Sequence, residues 1–120
     1  MVKYILMMVF LLAGPSFEGV AEFDRTVHDF GTVSESGGAV ETVFSVKNVG
    51  KENIIIYSVV SSCGCTSVEW TRETIRPGDT GTIKAEYRND EGPYPFDKTL
   101  KVYVSGLSKP VTLHLKGIVK

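Results

Sequence analysis

Thr42-Val43-Phe44-Ser45-Val46-Lys47-Asn48-Val49-Gly50-Lys51 decides the fold class of this chain. Thr42, Phe44 and Val46 share one face of an extended segment, and Val43, Ser45 and Lys47 share the other. Side chains of a strand alternate between faces, so this is a strand with one side turned to a core. Asn48 to Lys51 then ends it with residues that favour a turn.

The same period recurs on the C-terminal side. Ile83, Ala85 and Tyr87 alternate with Lys84, Glu86 and Arg88. Leu100, Val102 and Val104 alternate with Lys101, Tyr103 and Ser105, and Val111, Leu113 and Leu115 with Thr112, His114 and Lys116. Asn53 to Ser61 is a run rich in β-branched residues, which predicts a strand covered on both faces or bulged midway. Thr26 to Val33 reads as an opening strand, and a short one is expected near Ser67 to Thr71.

The separators are equally legible. Ser36-Gly37-Gly38 is a loop, Pro77-Gly78 a tight turn, and Ser105-Gly106 starts the last connection. The prolines of Gly92-Pro93-Tyr94-Pro95 argue against a central strand there. No stretch holds apolar residues at helical spacing for three turns. The expectation is an all-β chain, an antiparallel sandwich of about seven strands. Its core should draw on Phe30, Phe44, Val46, Ile54, Ile56, Val59, Ile83, Ala85, Leu100, Val102, Val104, Leu113 and Leu115.

The beginning of the chain reads as an address. Lys3 precedes the apolar run Tyr4–Ala13, Gly14-Pro15-Ser16 breaks it, and small residues follow at Gly19 and Ala21. This is the layout of a secretory signal peptide over residues 1–21, with cleavage expected between Ala21 and Glu22. The run is too short for the roughly 20 apolar residues of a membrane span. Residues 22–120 would then form a single domain in a secreted or periplasmic protein, with no membrane attachment after removal of the leader. Thirteen basic residues face 14 acidic ones without a basic stripe, so nucleic acid is not expected as a partner.

Chemistry has one place to reside. The only two cysteines stand in Ser62-Cys63-Gly64-Cys65-Thr66. On an extended strand such residues lie about 6.6 Å apart at Cα, at the long edge of disulfide geometry. Gly64 is expected to support the pair by letting the backbone turn. A local disulfide, a redox pair, a two-sulfur Cu(I) clamp and two packed thiols all remain open. Zinc would need two more ligands, and the only histidines, His28 and His114, are distant in sequence. His114 is expected on an exposed strand face and His28 beside the Asp29 carboxylate. Trp70, Tyr57, Tyr87, Tyr94 and Tyr103 are read as packing residues in preference to a binding patch. There is no catalytic triad order and no phosphate loop, so no catalytic, cofactor-binding or metal residue is assigned and no small-molecule substrate is evident.

His28-Asp29-Phe30-Gly31-Thr32-Val33, Phe44-Ser45-Val46-Lys47-Asn48-Val49-Gly50, Ser62-Cys63-Gly64-Cys65-Thr66, Pro77-Gly78 and Leu113-His114-Leu115-Lys116-Gly117 occur in that order. Their succession resembles the bacterial secreted proteins of domain of unknown function 1573. The resemblance implies an immunoglobulin-like sandwich related to major sperm protein-like domains, a group associated with binding other proteins. It implies no activity. The expectation is a non-enzymatic interaction or structural module that binds a protein partner through a strand edge. The rival is a thiol-redox or Cu(I)-handling protein using Cys63 and Cys65.

Overall fold

A computed structural model describes residues 14–89 and 92–120, and the apolar run Tyr4–Ala13 lies outside them. The strands are β1 (Ser16–Phe17), β2 (Ala21–Phe23), β3 (Val27–Val33), β4 (Val40–Asn48), β5 (Ile56–Ser61), β6 (Thr66–Trp70), β7 (Thr80–Tyr87), β8 (Pro95–Val104) and β9 (Val111–Val119). They form two sheets, in the orders β1-β2-β4-β7-β6 and β3-β9-β8-β5. The order β2-β4-β7-β6 against β5-β8-β9 is that of an immunoglobulin-like sandwich, A-B-E-D against C-F-G.

Alternation places the core as expected. Phe44, Val46, Ile83, Ala85, Leu100, Val102, Leu113 and Leu115 are fully buried between the sheets. Phe30 is only half-buried, because β3 lies at an edge and is bulged between Asp29 and Thr32. Tyr87 is buried and stacks on Phe96 at 4.2 Å between ring centres. Gly117 permits this arrangement: a Cβ there would sit 2.7 Å from Phe96 Cζ and 3.1 Å from the Gly31 carbonyl oxygen.

Three departures from the sequence expectations stand out: the number of strands, one parallel pair and the place of Pro95. Among the described residues nine strands form where about seven are expected, the short β1 and β2 being the additions. One pair is parallel: β3 runs alongside β9, starting from Val27 opposite His114. The expected opening strand, Thr26 to Val33, is β3, which the chain enters after crossing from one sheet to the other at residues 24–26, and alternation carries no record of a strand's neighbour or direction. The β-branched run is bulged between Ile56 and Ser58, one of the two forms expected of it. Pro95 opens the central strand β8, at the first position, where its missing N–H is tolerated.

Side chains blunt two strand edges. Beyond the reach of β2, the outer edge of β4 is capped by the Asp24-Arg25 corner. Asp24 Oδ1 accepts from Ser45 N at 3.0 Å, and Arg25 donates to the Val43 carbonyl at 3.1 Å and to Thr42 Oγ1 at 2.6 Å. On the other side Trp70 reaches from β6 to β5, its indole N–H donating to the Ile56 carbonyl at 3.0 Å. Both devices occupy backbone groups that an edge strand would otherwise offer.

Candidate functional site

The cysteines lie where the chain crosses from β5, at the edge of one sheet, to β6, at the edge of the other. Ser61 and Ser62 build the crossing. Ser61 Oγ accepts from Cys63 N at 3.1 Å and donates to the Cys63 carbonyl at 2.8 Å. Ser62 exchanges two hydrogen bonds with Thr99 of β8, its N–H donating at 2.9 Å and its hydroxyl accepting at 3.0 Å. Thr66 N closes the turn on the Cys63 carbonyl at 3.2 Å, and Arg88 N holds the Cys65 carbonyl at 2.9 Å. The loop is therefore tied to both sheets.

Cys63 and Cys65 are joined as a disulfide, with their Cα atoms 5.2 Å apart. The turn has shortened the separation of an extended chain into the ordinary range for such a bond. Both residues are half-buried, and Cys65 packs against the core. The Cys65 N–H donates to Cys63 Sγ at 3.1 Å. Gly64 sits at the exposed tip with its φ outside the left-handed region, and a Cβ there would meet open space. The serine and threonine hydrogen bonds thus shape the turn more than the glycine does. Chemically, a half-exposed disulfide is accessible to an attacking thiolate.

The other singled-out residues do not converge on this loop. His114 Nδ1 meets Asp97 Oδ1 at 2.9 Å on the outer face of the β3-β9-β8-β5 sheet. His28 is not held by Asp29. Its Nδ1 faces the Arg25 guanidinium at 3.2 Å and its ring meets Phe30 edge-on, while Asp29 Oδ1 accepts from Gly31 N at 2.8 Å. Burial, with help from Arg25 and against Asp29, lowers the His28 pKa from its ordinary 6.5. Among the described residues no three His, Cys, Asp or Glu side chains stand where they would hold a metal ion. Of the aromatic residues singled out, Tyr57 and Tyr103 pair with each other, at 6.0 Å between ring centres. Trp70 lies instead against Arg72, whose guanidinium is 3.9 Å from the ring centre.

The family model described as "Protein of unknown function (DUF1573)" matches residues 21–119. The chain belongs to the DUF1573 family. No curated protein matches it detectably. Solved structures with the same fold include a protein of unknown function from Porphyromonas gingivalis W83, with a TM-score of 0.71 and 18% identity over 83% of this chain and 46% of that one. The secreted serine protease VesC of Vibrio cholerae matches with a TM-score of 0.65 and 14% identity over 85% of this chain and 23% of its own. The VesB protease of the same organism gives 0.61 and 15%, over 97% of this chain and 34% of its own. The chain spans less than half the length of each, and at these identities the likeness concerns the fold alone.

One family-marking residue that the sequence reading took for plain turn chemistry is a structural hub of this DUF1573 domain. Asn48 is fully buried. Its amide N–H groups donate to the carbonyls of Glu52 at 2.7 Å and Ile75 at 2.9 Å, and its Oδ1 accepts from Gly50 N at 2.9 Å. Asn-Val-Gly is thus a bracket tying the end of β4 to two loops. Its sequence signal was a short amide residue two places before a glycine.

Proposed function

We propose that this chain is a non-enzymatic protein-interaction module that works outside the cytoplasm and receives an extended segment of a partner polypeptide along β5. One observation carries the reading. Of the seven large apolar side chains left exposed among the described residues, three, Ile55, Tyr57 and Val60, fall within six residues at this edge strand. Tyr57, 58% exposed, pairs with Tyr103 and widens the patch. Apolar side chains beside a strand edge suit β-addition, in which main-chain hydrogen bonds supply affinity and alternate side chains supply selectivity. Trp70 occupies the Ile56 carbonyl, so the stretch on offer is Ser58–Ser61. An extracytoplasmic address is supported by the signal-like run Tyr4–Ala13 and by a disulfide, which persists in oxidising compartments.

The test is capture from envelope extract with the full chain and with a Tyr57→Asp/Val60→Asp variant. A captured protein that the variant loses, at unchanged melting temperature, supports the reading. Partners retained by the variant would refute it. A second reading, thiol exchange, is favoured by the half-exposed Cys63–Cys65 bond. Intact mass before and after mild reduction, together with turnover on a small-molecule disulfide substrate, separates the two. A gain of two hydrogens with turnover favours exchange.

A further inference from the structure

Residues 14–20, placed by their sequence in the discarded part of a signal peptide, are seated on the folded domain. β1 pairs with β2, Phe17 lying opposite Ala21 and Ser16 opposite Glu22. β2 in turn pairs with β4, Ala21 opposite Asn48 and Phe23 opposite Val46. The Ala21–Glu22 bond therefore lies in the middle of a paired strand, between two neighbours. Ala21 and Phe23 are both completely buried.

The contacts of this hairpin reach three parts of the domain. Phe17 meets Phe23 edge-on at 5.6 Å. Phe23 N donates to the Pro15 carbonyl at 2.8 Å, and Val49 N to the Val20 carbonyl at 2.9 Å. The Glu18 carboxylate accepts from Ser108 N at 3.0 Å and from Ser108 Oγ at 2.9 Å, joining the hairpin to the loop between β8 and β9. Glycines stand where it approaches most closely: a Cβ at Gly50 would be 3.4 Å from the Gly19 carbonyl oxygen, and one at Gly106 would be 3.4 Å from Val20 Cγ1. Gly14 is tighter still, because a Cβ there would overlap the Phe23 and Asp24 backbone.

Cutting at Ala21–Glu22 would remove the acceptors of Phe23 N, Val49 N and Ser108 N, uncover Phe23, and leave a new ammonium group in the sheet. Unpaired backbone groups and stripped core aromatics are what folded domains avoid. We propose that the Ala21–Glu22 bond is not the processing site. Residues 15–20 belong to the mature domain as a built-in cover for the outer edge of β2, and any leader is removed upstream of Pro15.

The experiment is to express the full chain in a bacterium, recover the exported protein from the envelope fraction, and determine its N-terminus by intact mass and Edman degradation. An N-terminus at Pro15 or earlier supports the proposal. An N-terminus at Glu22, or anywhere from Ser16 to Phe23, overturns it. A second measurement covers poor export: chains beginning at Gly14 and at Glu22 are purified and melted side by side. The shorter chain is expected to melt roughly 10 °C lower or more, since each lost fraction of stability is magnified in a domain of this size. Equal melting temperatures would overturn the proposal, whatever the export yield.

Discussion

Replacing Asn48 by alanine should be among the most damaging single changes in this domain, although Asn48 touches no candidate site. The side chain is fully buried and satisfies three backbone groups. Alanine satisfies none. The Ile75 carbonyl is reached by a buried bond, so its loss carries the full desolvation cost of about 1–3 kcal/mol. The Gly50 N–H and the Glu52 carbonyl belong to a loop nearer solvent, where water takes over part of the role, leaving about 0.5–1 kcal/mol each. The sum is about 3 kcal/mol, a large part of the 5–15 kcal/mol that ordinary domains possess. The melting temperature should fall by roughly 12–25 °C. Urea unfolding followed by tryptophan fluorescence checks this, with Trp70 as the single reporter. Asn48→Asp is the informative partner. It keeps the acceptor for Gly50 N but turns a carboxylate towards the carbonyl oxygens of Glu52 and Ile75, so at neutral pH it should be worse than alanine. An Asn48→Ala loss below about 1 kcal/mol with an unchanged denaturant slope, or an Asn48→Asp protein as stable as the parent, would refute the bracket.

Three other outcomes are expected. Cys63→Ser with Cys65→Ser should fold cooperatively and lose at most about 1.6 kcal/mol, the chain-entropy value for so small a loop; a random-coil circular dichroism spectrum would contradict this. Gly117→Ala should cost about 1–3 kcal/mol by pressing a methyl group into Phe96 and the Gly31 carbonyl, and near-UV circular dichroism should report the displaced Phe96–Tyr87 stack; an unperturbed melting curve would count against that packing. His28 has a folded pKa below its unfolded value, so the unfolded chain binds the proton more tightly, and stability is unaffected above 6.5 and declines as pH falls below it. The His28→Gln protein should show a shallower decline between about pH 7 and pH 5 than the parent, and identical slopes would remove His28 from the account.

The alternation of Phe44 and Val46, Ile83 and Ala85, and Leu113 and Leu115 determined an all-β chain and most of its core, because which face a side chain takes in a strand depends only on the parity of its position. The ordered motifs from His28 to Gly117 were enough to mark the family. Pairing was beyond their reach. That β3 lies parallel to β9, that Trp70 caps Ile56, and that Tyr57 and Tyr103 share a surface depend on which strands become neighbours, and that is settled by the packing of the whole sandwich. Residues 14–20 make the same point from the other side. Read locally, Gly19 and Ala21 are small residues after an apolar run. Only the folded sheet turns Ala21 into a buried member of a paired strand, because burial is a property of the neighbours that arrive, and those neighbours, Asn48 and Phe17, lie 27 residues downstream and four upstream.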